Sequence, residues 1–426
     1  MRLTFTIPLV CPAYDRLSNG TVFRFIALLL AVSCALGASP VLAALEVLGS
    51  YNPETPGSNA TVVALDATAY LGSWGSENHC DAPGVRVVDL HDPGAPTLEA
   101  VAAVYPRTTA EHLVVLHHQS ATFSGNLLLV GIQRCAAVGD EGGLALWDVT
   151  NPADPRELSF LGVGTHPRGV HEFTIGQRGD RLLAYLAVPN SELLDGHGDL
   201  RVVDVTDPHT PVEVGNWGAH RATGLPIGLG EECAPECRGA SQRALLHSVT
   251  LNPDQRTAYL AYWDLGIFVL DVADPLAPRL LGRFVEPPEA EGNTHSLAIG
   301  NGNVALVANE TFAPPWGQLH LVDVSDPMAP IEVGTWQTHN AATDAPAGFE
   351  HWFSIHNAYV DPRDTRHAFL AWYSDGVRVL DIANPRAPFE VDSWVPAQDA
   401  FVWSVAFLDD LVLVADVHSG LYVLHR

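Results

Sequence analysis

The chain has 426 residues, a formal net charge of −27 and no lysine, so every fixed positive charge is an arginine. An acidic surface repels phosphate backbones and anionic lipid headgroups, which excludes nucleic acid and anionic membranes as expected partners. The same acidity suits a cation, a basic partner, or simple solubility in a salty exterior.

Residues 1–44 have the pattern of an export signal. Arg16 and Arg24 precede an apolar run at 25–36, and small residues suited to cleavage follow it. The run is too short to span a bilayer, and no other segment has about 20 uninterrupted apolar residues. We therefore expect a soluble mature protein, residues 45–426, that is periplasmic, extracellular or held at the cell surface. A likeness to a bacterial lipoprotein cleavage site predicts, as the alternative, a lipid anchor at Cys34.

After residue 44, one strand–turn–strand pattern recurs. In each copy an apolar run ends in Asp, and a second Asp or Asn, a Pro and another Pro three positions later follow it. The residues that end these runs are Asp89, Asp148, Asp204, Asp271, Asp323 and Asp381. Successive copies are 52 residues apart at the shortest, from Asp271 to Asp323, and 67 at the longest, from Asp204 to Asp271. The pattern predicts one small antiparallel sheet per copy, at the period of a propeller blade.

The repeated Asp has a structural and a metal-binding interpretation. In the first, its carboxylate accepts backbone N–H groups of the turn that it precedes. In the second, each turn is a calcium-binding loop.

The last copy of the pattern lacks one strand. Residues 421–425 match the apolar run at 377–381, and the chain then stops. A segment near the N-terminus, 45–51, resembles the strands that follow the Pro-containing turns elsewhere, such as 331–336. We therefore predict an all-β fold over 45–426, a seven-bladed β-propeller that is closed by the N-terminal strand completing the last blade.

The apolar strand that ends in Asp, as at 377–381, resembles the repeat of the LVIVD family over nearly all of the chain after residue 44. The resemblance implies the propeller fold. It implies no activity, because the family is defined by a structural strand and one fold can host many functions.

A histidine recurs upstream of the Asp motif, at the start of the strand expected to line the central channel. Aligning on that strand places four at matching positions: His171, His247, His295 and His356. In the second blade, the phase of the apolar residues that follow selects His117 over His118. Trp403 takes this place in the last blade, and Thr61 or a neighbour takes it in the first.

Five imidazoles at equivalent positions of a ring converge on one axis, as metal binding requires. Neutral imidazole is the commonest metal ligand, and three or four nitrogens suit zinc, copper or iron. Acidic groups are in phase with the channel end of the second strand, namely Asp264, Glu310, Asp375 and Asp416, and Glu172 adjoins His171. Among them Glu310 is our candidate ligand. In the structural alternative, a duplicated hydrogen bond from His to the backbone recurs in every blade.

This array of channel histidines is similar, in architecture and His placement, to the metal-bearing propellers of the selenium-binding and methanethiol-oxidase group. The signature Cys motif of that group is absent here, so the resemblance implies no reaction. The sequence also has no Gly-x-Ser-x-Gly elbow, no phosphate-binding Gly loop and no His-Glu-x-x-His. The sequence leaves open whether the protein is an enzyme.

Four cysteines follow residue 44, and an oxidising compartment favours disulfides. We expect Cys233 and Cys237 to bond to each other within an insertion. Cys80 and Cys135 occupy corresponding loops of the first two blades and are a candidate pair.

Two functions fit these observations. The first is an exported propeller scaffold that binds a protein or small-molecule ligand at its channel mouth or through the insertions at 190–199, 219–240 and 338–349. The alternative is a metal-binding protein, or a metal-dependent oxidase or hydrolase, that uses the channel histidines.

Overall fold

The computed structural model describes most of the chain after residue 43. The described residues are 44–53, 59–75, 84–135, 141–164, 168–237, 239, 242–287, 290, 292–347, 351–397 and 399–426. The predicted export segment up to residue 43, with Cys34, lies outside these ranges, and so does Cys80. No helix among the described residues is long and apolar enough to cross a bilayer.

The described strands form four-stranded antiparallel units that follow one another along the chain. Five units are separate four-stranded sheets, and an eight-stranded sheet contains two more that are joined at one residue pair, Ser73 and Ala110. We number the units 1 to 7 in chain order.

The strand that precedes unit 1 is β1 (Glu46–Tyr51). Unit 1 contains β2 (Asn59–Leu65), β3 (Thr68–Ser73), β4 (Val85–Asp89) and β5 (Thr97–Ala102). Unit 2 contains β6 (Thr108–Gln119), β7 (Ser124–Arg134), β8 (Gly143–Asp148) and β9 (Arg156–Gly162). Unit 3 contains β10 (Phe173–Arg178), β11 (Arg181–Ala187), β12 (Leu200–Asp204) and β13 (Val212–Trp217).

A two-stranded hairpin, β14 (Gly228–Leu229) and β15 (Arg243–Ala244), separates units 3 and 4. Unit 4 contains β16 (Ser248–Leu251), β17 (Thr257–Ala261), β18 (Ile267–Asp271) and β19 (Arg279–Phe284). Unit 5 contains β20 (Thr294–Ile299), β21 (Val304–Asn309), β22 (Leu319–Asp323) and β23 (Ile331–Trp336). Unit 6 contains β24 (Asn357–Val360), β25 (His367–Trp372), β26 (Gly376–Asp381) and β27 (Phe389–Trp394). Unit 7 contains β28 (Val402–Leu408), β29 (Leu411–Asp416), β30 (Gly420–His425) and β1.

Unit 7 joins the two ends of the described chain. Strand β1 pairs antiparallel with β30, with Ser50 opposite Tyr422. The neighbouring first strands of units 1 and 7 are also in contact, because the Val62 N–H donates to the Ser404 hydroxyl at 2.8 Å. The N-terminal strand therefore completes the last unit, as the sequence predicts.

The first strand of each unit faces the first strand of the next, and the fourth strand lies outermost. Ser248 of β16 donates to the backbone oxygen of His295 at 2.9 Å, and Ser296 of β20 donates to that of His356 at 3.1 Å. The fourth strands are the most exposed, and β27 has no fully buried residue. The first strands therefore line the centre of the ring of units.

The hydrophobic cores lie between neighbouring units. One cluster joins Tyr185 of unit 3 to Phe268 of unit 4, and another joins Leu306 of unit 5 to Leu370 of unit 6. Each fully buried side chain of this kind contributes roughly 1.5–3 kcal/mol relative to an exposed one. This packing fixes the orientation of each unit and so the direction of the residues at the centre.

The repeated Asp residues confirm the structural interpretation of the motif. Each one ends the third strand of its unit, and its carboxylate accepts the N–H of the residue two positions later at 2.8–3.0 Å. The acceptors are Asp89, Asp148, Asp204, Asp271, Asp323 and Asp381. Such bonds satisfy turn N–H groups that the sheet leaves free, which explains why the residue recurs.

The insertions between strands fold into short helices. They are α1 (Ser191–Asp195), α2 (Ala219–Thr223), the 3-10 helix Gly230–Cys233 and α3 (His339–Ala342). Cys233 and Cys237 are bonded to each other, as expected. Cys135 is also disulfide-bonded, and its expected partner, Cys80, lies outside the described residues.

Candidate metal centre

Four of the histidines predicted from the sequence meet at one end of the first strands. His247 and His356 directly precede β16 and β24, and their N–H groups donate to Ala261 and Ala371 of the adjacent second strands at 2.8 and 2.9 Å. His171 makes the same bond to Ala187 at 2.9 Å. These ladder bonds set the backbone position of each histidine, and His295 occupies the second position of β20.

The four imidazoles form an arc of contacting rings, which we call the His cluster. Ring centroids are 4.1 Å apart for His171 and His247, 3.8 Å for His247 and His295, and 4.5 Å for His295 and His356. Trp403 of unit 7 continues the arc at 4.2 Å from His356. Units 3 to 6 thus each supply one imidazole, and unit 7 supplies an indole.

His356 has a fixed tautomer. Its Nδ1 lies 2.7 Å from the backbone oxygen of Trp403, and a carbonyl can only accept, so Nδ1 carries the hydrogen. The lone pair of the neutral ring is then on Nε2. Metal-binding histidines commonly donate their second ring nitrogen to a carbonyl or carboxylate in this way.

His171 is oriented by a carboxylate from unit 2. Its Nδ1 lies 3.0 Å from Glu111 Oε2 and 2.8 Å from the amide nitrogen of Gln133, which also donates to Glu111 at 2.7 Å. The bond between Nδ1 and the Glu111 carboxylate is charge-assisted and is therefore the stronger one. We accordingly assign a hydrogen to Nδ1, which donates it to Glu111. Nε2 of His171 then faces Nε2 of His247 at 2.5 Å.

His247 and His295 have an unused ring nitrogen. Both rings are buried, and Nδ1 of each lacks a hydrogen-bond partner within the described chain. His295 Nε2 lies 3.6 Å from Glu310 Oε2. A buried polar atom without a partner costs about 1–3 kcal/mol, so its persistence points to a ligand.

Burial keeps most of the His cluster neutral. It lowers the pKa of His356 to about 4 and holds the pKa values of His247 and His295 well below the usual range, with neighbouring imidazoles adding to the effect. His171 is the exception. Burial alone would lower its pKa, but the charge and hydrogen bond of Glu111 raise it. At neutral pH, three of the four rings therefore offer lone pairs rather than protons.

Two further carboxylates adjoin the His cluster and hold protons more tightly than usual. Burial raises the pKa of Glu172 to about 8 and that of Glu310 to about 7. Glu172 accepts a bond from Asn357 at 3.4 Å, and Glu310 accepts one from the Tyr373 hydroxyl. Glu111 differs, because the His171 charge and its hydrogen bonds outweigh burial and lower its pKa.

These side chains form two triads of potential metal ligands. The first is Glu172, His247 and His295, and the second is His295, Glu310 and His356. In each triad the donor atoms lie within 4.8 Å of one another, and all five residues are buried. Ligands of a tetrahedral zinc ion are about 3.3 Å apart, given bonds of roughly 2.0–2.1 Å, so small rotamer shifts would close either triad. His295 belongs to both.

The structure does not bring His117 to the His cluster, which corrects the sequence alignment. Strand β6 is unusually long, and His117 lies opposite Asn126 near its far end. Its side chain is 64% exposed, bonds to Asn126 at 2.6 Å and lies 3.5 Å from Asp66. The equivalent place in unit 2 belongs to Glu111, which precedes the buried Leu113 by two positions, as His171 precedes Phe173.

Three of the acidic residues in phase with Glu310 hold loops rather than adjoin the His cluster. Asp264 accepts the Arg243 N–H at 2.8 Å, Asp375 accepts the Thr338 hydroxyl at 2.5 Å, and Asp416 accepts the Phe401 N–H at 2.6 Å. Their carboxylates are engaged by turns and insertions, so we do not count them among the potential ligands.

Two aromatic residues near the His cluster were not predicted as site residues. Trp263 and Tyr373 take equivalent positions after the second strands of units 4 and 6, with backbone φ of 44° and 28°. Positive φ is costly for bulky residues and is enriched at functional sites. Each pairs with the start of the next unit, Trp263 with Thr294 and Tyr373 with Val402. Each follows a strand and precedes a glycine by three positions, Gly266 or Gly376. This recurrence is the sequence signal that could have identified the two aromatic residues.

Successive four-stranded antiparallel units with their first strands at the centre define a β-propeller. Comparison with solved structures agrees: the chain is similar to the C-terminal WD40 domain of Sif2, with a TM-score of 0.53 and 11% identity, over 90% of this chain and 98% of that one. At this identity the similarity shows the fold alone.

Three segments of the propeller match the LVIVD repeat. The model of the LVIVD repeat matches residues 194–218, 258–285 and 291–338, which confirms the resemblance seen in the sequence. No curated protein matches the chain.

Proposed function

We propose that the His cluster binds a divalent transition metal, zinc, copper or iron, with His295 as the central ligand. His295 is shared by the two triads, so it is a ligand in either arrangement. His356 with Glu310, or His247 with Glu172, would complete the coordination. Nitrogen-rich sites with one carboxylate suit these three metals.

The observation that carries this proposal is a set of buried imidazoles that contact one another and have ring nitrogens without a hydrogen-bond partner among the described residues. Three neutral imidazoles are in contact, and the described chain leaves Nδ1 of His247 and His295 without a donor. A purely structural set of histidines would be expected to satisfy those nitrogens with backbone or side-chain partners. His356 is satisfied on one nitrogen only, in the manner of a metal ligand with a supporting carbonyl.

The same site has groups suited to proton transfer. A bound metal supplies a polarised water of lowered pKa. Glu310, with a pKa of about 7, is matched to act as a general base near neutral pH, and the Tyr373 hydroxyl holds its carboxylate in place. Because Glu310 and Tyr373 are suited to proton transfer beside the metal, we propose more specifically that the protein is a metal-dependent enzyme.

Elemental analysis of residues 45–426, made without a His tag, tests metal binding. We expect one equivalent of metal in the protein and none in the double variant His247→Ala/His295→Ala. The matched control is His91→Ala/His117→Ala, which removes two histidines whose side chains are 81% and 64% exposed. Absence of metal after incubation with zinc, copper and iron, or full retention in the His247/His295 variant, would contradict the proposal.

Ligand binding at the centre of the propeller is the second candidate function. The observation that favours it is a group of aromatic rings and one arginine, Arg243, beside the His cluster. We also infer export, because an apolar segment follows Arg16 and Arg24 and the described cysteines are all disulfide-bonded.

A further inference from the structure

Arg243 presents a partly exposed positive charge that forms no ion pair with another described residue. Its guanidinium lies over two aromatic rings, 5.1 Å from the centre of Trp263 and 5.0 Å from that of Phe312. Within the described chain it forms no hydrogen bond or ion pair. In a protein of net charge −27, a partly buried arginine whose guanidinium bonds to no carboxylate of the described residues is unexpected, since Glu310 and Asp264 act on it through their charges alone.

The backbone of Arg243 is anchored so that its side chain stays available. Its N–H donates to Asp264 Oδ2 at 2.8 Å, and its carbonyl accepts the Asp264 N–H at 3.0 Å. The Asp264 carboxylate therefore bonds to the backbone of Arg243. Arg243 lies on β15, part of the insertion that separates units 3 and 4, so this residue is outside the repeat pattern.

Trp263 places Arg243 beside the His cluster. The same indole that lies under the guanidinium is 5.2 Å from His247 and 5.9 Å from His295. Glu310 is also close enough to act on Arg243 electrostatically. A ligand held by Arg243 therefore lies beside the indole that contacts two of the candidate metal ligands.

Further rings extend from this position around the His cluster. We call the set the aromatic collar: Trp263, Phe312, Trp352, Tyr373, Phe401 and Trp403. Phe312 and Trp352 are 5.1 Å apart and partly exposed, whereas Tyr373 and Trp403 are buried. Partly exposed rings and a partly exposed cation that lies over two of them complement a ligand with an apolar body and one negative end.

We propose that this site binds a small carboxylate with a flat apolar body, with Arg243 holding the carboxylate and the aromatic collar holding the body. Guanidinium matches a carboxylate with two parallel hydrogen bonds, and stacking on Trp263 pre-orients it. The assignment deepens the proposed function, since it names the ligand class of the metal centre and rests on that centre for what the ligand does there. The binding step itself needs no metal.

Tryptophan fluorescence of the metal-free protein measures this binding. The probes are benzoate, phenylacetate and indole-3-acetate, each compared with its neutral amide. We expect saturable binding of at least one carboxylate, with its amide and the Arg243→Gln variant each weaker by about tenfold or more, since a charged hydrogen bond is lost in both. The control variant Arg156→Gln makes the same charge change at an exposed pair with Asp154 and should bind like the parent.

Three results would overturn the inference: no saturable binding of any of the three carboxylates, equal binding of acid and amide, or an unchanged affinity in Arg243→Gln. Metal content of the Arg243→Gln variant is measured in parallel and should equal that of the parent, which also checks that the variant is folded. If the protein binds no metal but binds carboxylates through Arg243, the ligand class stands and the metal proposal fails. If it binds metal at the His cluster but no carboxylate, the metal proposal stands and the ligand class fails.

Discussion

Adding zinc to the metal-free protein is expected to raise its free energy of unfolding by about 4 kcal/mol when free zinc is 1,000 times its Kd. The candidate ligands lie in units 3, 4, 5 and 6, so only the folded propeller brings them together. A ligand that binds the folded state alone stabilises it by mass action. Denaturant unfolding with and without metal, after chelation, measures the difference.

Two single variants define the origin of this stabilisation. His295→Ala should lose most of the metal-dependent shift, because it removes a ligand from both triads. His117→Ala should keep it, because that exposed side chain bonds to Asn126 away from the His cluster. An equal shift in both variants would place the bound metal elsewhere.

Glu172 is expected to make the metal-free protein less stable as pH rises from about 4.5 to about 8. Its pKa rises from 4.5 to about 8 on burial, so between these values the folded state keeps a proton that the unfolded state has lost. Stability then falls by roughly 1.4 kcal/mol per pH unit from this group. Below pH 4.5 both states are protonated and the contribution is constant.

The Glu172→Gln variant isolates that contribution. Glutamine resembles the protonated carboxyl, so the variant and the parent should be equally stable near pH 4. Near pH 8 the metal-free variant should be more stable by a few kcal/mol, as judged by urea unfolding at each pH. A stability gap that does not change with pH would show that Glu172 does not titrate in this window.

The repeat pattern was sufficient to predict most of the fold. The Asp turns, the order of strands and the pairing of β1 with β30 follow from period-2 alternation and turn residues, which are local signals. The four clustered histidines were also predictable, because each occupies the same position relative to a strand in its own repeat. In a ring of similar units, residues at the same position of successive repeats lie close together.

The prediction failed where a unit departs from the common length. The phase of the apolar residues that follow His117 selects it over His118, but phase alone cannot say where along a 12-residue strand such as β6 the centre of the propeller lies. In unit 2, Glu111 takes the position that a histidine takes in units 3 to 6, and a search for histidine could not find it.

Arg243 was unpredictable for a different reason. It lies on a short hairpin in an insertion, and its approach to Trp263 depends on a tertiary bond to Asp264. Repeat alignment carries no information about such a segment.

Anomalous X-ray diffraction from crystals of the metal-loaded protein, collected at the absorption edge of the bound metal, tests the central claim most directly. The account predicts one peak at the His cluster, about 2.0–2.3 Å from a ring nitrogen of His295 and from one of His247 or His356. A peak found only at exposed histidines such as His91 or His117, or no peak at the cluster, would contradict it.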